Sequence, residues 1–316
     1  GFAMAGGLMV SFHHFEKRVA DLMKLGIEAD LIIFHPYDRW GFKSMSRTDD
    51  DRYLRYLVAR LAAFRNVWWS FANEYDFMLD HHTLGDWDHY FRLVQSCDAY
   101  DHLRSVHNCG DFYDHGKPWV THCSIQRPDL TKVPKWMQHY HKPVIVDECG
   151  YEGDISRIWG SLSAEEMVLR FWMGFASGGY VGHGETYWNE EEVLWWSKGG
   201  ELHGESAARI AFLREIIEDV PGYGLSPMAE SPHAVVPDGN WNMVAASYQS
   251  TNYYLLYFGM HQPRFREFCL PEGSFRIDVI DTWNMTIETI EEKASGEVRI
   301  ELPRKKYLAV RIVKEA

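Results

Sequence analysis

A chain of 316 residues is long enough for about two domains and a sizeable core. Its 32 Lys and Arg against 45 Asp and Glu leave a net charge of −13, and no basic run is long enough to suit nucleic acid or an anionic membrane as partner. Apolar residues at 46% and charged residues at 24% exclude a disordered or collagen-like chain, and no uncharged apolar stretch has the length of a membrane-spanning helix.

The unusual entries are 13 Trp, 17 Tyr, 17 Phe and 16 His. Such rings either build a large aromatic core or stack on the faces of sugars. Cysteines at 97, 109, 123, 149 and 269 show no CxxC spacing, which favours reduced thiols over a disulfide or zinc framework. The opening GFAMAGGLMVSF lacks a basic n-region and a cleavage site, so it reads as the cut edge of a longer protein rather than a signal peptide. Together these features set a cytoplasmic location as the expectation.

In chain order, a helical stripe (Phe15, Val19, Leu22, Met23, Leu25) spans 13–25 and stops at Gly26. The apolar run 29–34 predicts a buried parallel strand, and Asp49-Asp50-Asp51 open a helix reaching about Phe64. A strand at 67–72, a helix at about 83–100, and short strands at 105–107 and 119–125 come next. A helix near 130–140 precedes the strand Pro143–Glu148; a helix at 163–177, a strand near 178–184 and a helix at 203–219 complete the alternation. Strands alternating with helices of this length indicate βαβ units around a parallel sheet.

Beyond Pro221-Gly222-Tyr223-Gly224 the texture changes. Eight short runs, at 232–237, 241–249, 252–259, 264–270, 274–281, 285–291, 296–302 and 307–313, read as a small antiparallel β-sandwich. The expected division is an α/β domain over 1–222 and a sandwich over 223–316.

In parallel α/β folds the site lies at the C-terminal ends of strands. The residues just past the apolar runs here are His35-Pro36-Tyr37-Asp38-Arg39-Trp40, Asn73-Glu74-Tyr75-Asp76, His107-Asn108-Cys109-Gly110-Asp111, Ser124-Ile125-Gln126, Asp147-Glu148-Cys149-Gly150 and His183-Gly184-Glu185-Thr186-Tyr187-Trp188. Glu74 and Glu148 stand out because each closes an almost wholly apolar strand. Cleavage of a glycosidic bond with retention needs two carboxyls about 5–5.5 Å apart, one a proton donor and one a nucleophile.

Asn73-Glu74 closing one strand, with a lone Glu148 closing the strand three further on, resembles clan A of the retaining (β/α)8 glycoside hydrolases. The stretches WSFANEYD, FHPYDRWGF and DECGYEGD resemble bacterial glycosidases, related to apiosidase-like enzymes, in which a TIM barrel precedes a small β-sandwich. The resemblance covers nearly the whole chain. It implies Glu74 as general acid then base, Glu148 as nucleophile, Asn73 as a donor to the sugar 2-hydroxyl and Trp188 as a sugar-stacking ring. His35, Tyr37, Asp38, Arg39 and Trp40 are then floor or subsite residues. His107, Gln126 and Glu185 are further substrate contacts, and His122 is the nearest candidate to hold the nucleophile. No cofactor or metal is implied, and the partner is a carbohydrate, of a plant-type oligo- or polysaccharide; the oligomeric state is open.

Only six strands precede residue 222, so the barrel is expected to lack its N-terminal strands, with residues 1–12 available to part of one. Two other readings stand beside this one. A metal-dependent barrel hydrolase would use His35, His107, His122 or His183, although no HxH follows a first strand and no HExxH occurs. A non-catalytic carbohydrate-binding protein would use sandwich aromatics such as Trp241, Tyr253, Tyr254 or Trp283.

Overall fold

The computed structural model describes residues 5–194, 201–222, 224–228, 235–237 and 244–315. The chain divides into two compact units, residues 1–126 with 140–143, and residues 127–139 with 144–316.

The first unit runs α1 (Ala5–Lys24), β1 (Ala29–Phe34), α2 (Arg47–Leu61), β2 (Val67–Ala72), α3 (Leu84–Cys97), β3 (Arg104–Ser105) and β4 (Cys123–Gln126). β1 pairs in parallel with β2, Ala29 opposite Val67 and Phe34 opposite Ala72, and β2 pairs in parallel with β3. One face of this sheet is apolar, so it buries against helices. Leu31, Ile33, Trp69 and Phe71 share a core with Leu54, Leu57 and Leu61 of α2 and Trp87, Phe91 and Val94 of α3. The Phe71 and Phe91 rings lie 4.0 Å apart. Helix starts are set by local caps: Ser46 accepts from the Asp49 amide, and Thr83 and Asp86 form a reciprocal capping box.

Two expectations change here. Residues 5–12 continue α1 rather than adding to a strand, and Phe12 meets Tyr56 of α2 edge-on at 5.0 Å. The strand expected at 119–125 begins only at Cys123, because Lys117–Val120 form a turn, with the Val120 amide bonded to the Lys117 carbonyl at 3.1 Å.

The second unit contains α4 (Val133–Tyr140) except its last residue, β5 (Val144–Glu148), β6 (Glu152–Gly153), α5 (Ala164–Phe175), β7 (Tyr180–Val181), β8 (Glu185–Thr186) and α6 (Ser206–Glu218). β5 pairs in parallel with β7, and β6 with β8. The chain leaves β7 so close to β5 that a Cβ on Gly182 would lie 2.3 Å from the Asp147 carbonyl oxygen, and glycine is needed there.

After α6 come β9 (Ser226–Pro227), β10 (Ala245–Gln249), β11 (Tyr253–Tyr257), β12 (Phe265–Cys269), β13 (Phe275–Asp281), β14 (Thr286–Ala294), β15 (Glu297–Glu301) and β16 (Leu308–Lys314). Six of them form a sheet in the order β14-β13-β16-β11-β10-β9, and β12 pairs with β15 in a separate ribbon. Sheet and ribbon share one core: Phe268, Leu270, Ile300 and Leu302 pack with Leu256, Ile277, Val310 and Ile312. The expected strand at 232–237 lies mostly outside the described residues, as does Trp241. Strict alternation over 275–280 puts Asp278 on a polar face, yet it is fully buried, with Arg311 donating to it at 2.8 and 2.9 Å. The chain is thus α/β with parallel strands, followed by C-terminal antiparallel sheets. No helix among the described residues is long and apolar enough to cross a membrane.

Candidate active site

β2 is apolar and mostly buried, so Asn73 and Glu74 mark the point at which the chain leaves the sheet. The exit is abrupt. Glu74 has φ 46° and ψ 56°, a left-handed conformation that costs a residue other than glycine about 1–3 kcal/mol. Neighbouring strand ends hold it there. The Glu74 amide donates to His107 Nδ1 at 3.2 Å, and the Tyr75 amide donates to the His107 carbonyl at 2.9 Å. The His107 amide donates to the Ala72 carbonyl at 3.1 Å, and the Asn73 amide to the Phe34 carbonyl at 3.1 Å.

The Glu74 carboxylate is buried, and side chains from three strand ends reach it. Tyr37, after β1, donates its hydroxyl to Oε2 at 2.5 Å, and Asn73 Nδ2 approaches the same oxygen at 3.4 Å. Gln126, closing β4, directs its amide nitrogen to Oε1 at 3.2 Å and to the Asn108 carbonyl at 2.9 Å. Asn108 is itself fully buried, and its Oδ1 accepts from the Gln126 amide at 3.4 Å. Burial pushes His107 down to about 4 against the pull of Asp76, so its ring is neutral at neutral pH. Since Nδ1 accepts, the ring proton sits on Nε2.

The loop after β1 is tightly built. Asp38 accepts from the Trp40 amide at 2.8 Å and the Lys43 amide at 3.2 Å, and His35 Nδ1 accepts from the Tyr37 amide at 3.1 Å. Burial raises the Asp38 carboxyl, but four backbone amides (Trp40, Lys43, Gly41 and Phe42) outweigh this and hold it below its ordinary value. Arg39 and Trp40 project outward, and Trp40 is 85% exposed. Asp76, beside the site in sequence, accepts from the Cys109, Gly110 and Asp111 amides and shapes the loop after β3. His122 is buried, its ring 5.4 Å from that of Trp68 and its Nδ1 3.0 Å from Thr121 Oγ1.

In the second unit, Glu148 is half-buried at the end of β5, and its carbonyl accepts from the Arg127 amide at 3.1 Å. Burial raises the neighbouring Cys149 thiol to about 11, which keeps it protonated and unreactive. Four residues on, Glu152 is 1% exposed and saturated with donors: Oε1 accepts from the Glu205 amide at 2.8 Å and Tyr187 Oη at 3.1 Å, and Oε2 from the Ser206 amide and hydroxyl. It thereby caps α6 at the positive end of the helix dipole. Glu185 accepts from the His203 amide at 2.7 Å and the Gly204 amide at 3.1 Å, so its carboxylate orders the approach to that helix. His183 Nε2 lies 3.2 Å from Ser206 Oγ, and burial lowers its ring pKa despite Glu185 and Glu152. Trp188 is 46% exposed, its amide donating to Asp154 Oδ1 at 2.9 Å.

Of the residues singled out from sequence, Asn73, Glu74, Tyr37, His107 and Gln126 come together. Asp38 and His35 serve the loop that carries Tyr37, while Glu148, Glu185 and Trp188 belong to the second unit. Sequence reading passed over Asn108 and Glu152. The first was visible only as the neighbour of His107, and the second stood unremarked inside DECGYEGD.

Parallel strands whose C-terminal ends gather a buried carboxyl and imidazole, two half-buried amides and an exposed phenol make this the candidate active site of an α/β fold. Residues 11–223 match the apiosidase-like, catalytic domain family, and residues 241–313 a domain of unknown function, DUF5605. The chain belongs to the apiosidase-like family, as its three motifs implied. A structure from Bacteroides vulgatus ATCC 8482, described as a candidate glycoside hydrolase, is 36% identical, with a TM-score of 0.84 over 96% of this chain and 63% of that one. This chain therefore spans less than two thirds of that relative's length. A glycoside hydrolase of family 5 from the same organism is 15% identical, with a TM-score of 0.73 over 96% of this chain and 74% of its own. Another structure described as a glycoside hydrolase is 14% identical, at a TM-score of 0.66 over 86% of this chain and 70% of its own. These last two show a shared fold. No curated protein matches the chain.

Proposed function

We propose that the chain carries the catalytic residues of a glycoside hydrolase that cleaves a plant-type oligo- or polysaccharide with retention. In this reading the α/β part is a (β/α)8 barrel and residues 223–316 form its accessory β domain. The observation that carries it is Glu74. It is a buried carboxyl at a parallel strand end, turned out of the strand and met by neutral side-chain donors from Tyr37, Asn73 and Gln126. Neutral donors that can turn suit a group that must give and take a proton, as a general acid and base does.

Glu74 protonates the departing glycosidic oxygen and then deprotonates the incoming water. Glu148 attacks the anomeric carbon, forming a glycosyl-enzyme ester that the water cleaves. Asn73 donates to the sugar 2-hydroxyl, a contact that strengthens as oxocarbenium character develops, and Trp188 and Trp40 offer ring faces to sugars. No cofactor enters these steps. The test is hydrolysis of a panel of aryl glycosides and plant oligosaccharides by wild type, Glu74→Ala and Glu148→Ala. Loss of turnover in both, with azide restoring Glu148→Ala as a glycosyl azide of inverted configuration, supports the assignment; turnover that persists in Glu148→Ala overturns it.

A metal-dependent reading has one observation in its favour: ligand atoms of Glu152, His183 and Glu185 lie within 4.8 Å of one another. Both carboxylates of that group already accept backbone amides at the start of α6, which accounts for their position without an ion. Turnover abolished by EDTA and restored by a divalent cation would favour the metal. Sugar binding without turnover would favour a binding protein.

A further inference from the structure

The geometry points to His107 as the positioning residue for Glu74, holding the carboxyl-bearing backbone out of line with β2 rather than touching the sugar. This rests on the reading of Glu74 as acid and base.

A strand that simply continued would send Glu74 along the sheet direction. Instead the chain reverses into the left-handed region at a residue with a Cβ, and something must offset that strain. His107 receives two consecutive amides from this turn: its Nδ1 takes the Glu74 N–H at 3.2 Å, and its carbonyl takes the Tyr75 N–H at 2.9 Å. Its own amide is tied to the Ala72 carbonyl at 3.1 Å, so the imidazole is anchored to the last residue of β2 while it grips the first residues beyond. The ring is 4% exposed and spends Nδ1 on the protein, which suits a brace better than a substrate contact.

The brace works only with a neutral ring. A proton on Nδ1 would face the Glu74 N–H donor to donor, and burial prevents this down to about pH 4. Shape matters as well. Asparagine at 107 places an acceptor oxygen where Nδ1 now lies, whereas leucine keeps the bulk and removes the acceptor.

The test compares wild type, His107→Leu, His107→Asn and Glu74→Ala for kcat, KM and thermal midpoint, alongside nitrogen NMR of the histidine ring in the wild-type protein. Misplacing the acid by about an ångström should lower kcat about 100-fold in His107→Leu with KM unchanged, and His107→Asn should recover most of it. A kcat per folded molecule equal to wild type in His107→Leu, with only the midpoint lowered, overturns the inference. A rise in KM alone does so too, by making His107 a substrate contact. If Glu74→Ala retains full turnover, the acid/base reading falls instead. Should no substrate of the panel turn over, the spectrum decides: an unprotonated Nδ1 coupled to the Glu74 amide nitrogen supports the brace, and a proton on Nδ1 overturns it.

Discussion

Glu74 and Glu152 are both buried carboxylates close to the ends of parallel strands, and the protein holds them in opposite ways. Glu152 is gripped by two backbone amides at the start of a helix, by a serine and by a tyrosine. Backbone amides cannot rotate away, and a helix N-terminus favours negative charge, so this carboxylate is fixed in place with a structural task. Glu74 is met by Tyr37, Asn73 and Gln126, whose side chains can turn, and only its backbone is fixed, through His107. The kind of donor around a buried acid thus separates a fixed cap from a carboxyl whose partners can turn, where burial alone makes the two look alike.

The comparison can be broken most directly at Glu74. Replacing it with Gln should lower kcat/KM by about 10²–10⁴-fold, the usual contribution of a general acid or base, while the unfolding midpoint stays near wild type. A large loss of stability with little loss of rate would make Glu74 another Glu152.

Acid should separate the two units next. Burial lowers His107 and His122 to about 4 and His115 to about 3. Each folded-state value lies below the unfolded one, so each neutral ring contributes stability that is complete above about pH 6.5 and is lost as pH falls through the folded values. For the fully buried rings this is on the order of 3 kcal/mol apiece. Hydrogen exchange tracked from pH 7 to pH 4.5 should show β2, β3 and β4 losing protection before β11, β13 and β16; simultaneous loss would contradict the prediction. His115 has no hydrogen-bonding partner for either ring nitrogen among the described residues, so His115→Phe should blunt this acid sensitivity.

A smaller effect belongs to Glu152→Gln. Weakening charge-assisted bonds at the α6 cap should cost about 2 kcal/mol in denaturant unfolding. No measurable change would show that the cap does not hold the start of α6. Smallest is Trp40→Ala, whose loss of a stacking face should raise KM several-fold with stability unchanged, on the order of 1 kcal/mol of binding. A constant KM would remove Trp40 from the subsite.

Much of this organisation was legible in the sequence. The run Val67–Ala72 could hardly be other than a buried strand, and the two-residue alternation from Phe275 onward announced an antiparallel sheet. Asn73 and Glu74 stood out as candidates by the plain contrast between that apolar run and the amide and carboxyl directly after it. The features that stayed hidden depend on partners distant in sequence. The left-handed turn at Glu74 is imposed by His107, 33 residues on, and nothing local to ANEYD signals it. The strands β6 and β8 are two residues long, too short for any periodicity, so the cap role of Glu152 was invisible. Asp278 likewise fits an alternating pattern as a wet residue, and its burial is explained by Arg311 and Thr289 on the neighbouring strands and by Arg276 on its own.

The loop after β1 has a mechanical corollary. Tyr37 bonds Glu74, Tyr37's own amide is pinned by His35, and the next turn is cinched by Asp38 on Trp40 and Lys43. Asp38 therefore acts as a tensioner, setting how tautly the phenol is drawn against the acid from several residues away. Slackening it would shift the phenol without altering a single other atom in contact with the carboxyl, so this short surface loop is a place where a change several residues away would be felt at Glu74.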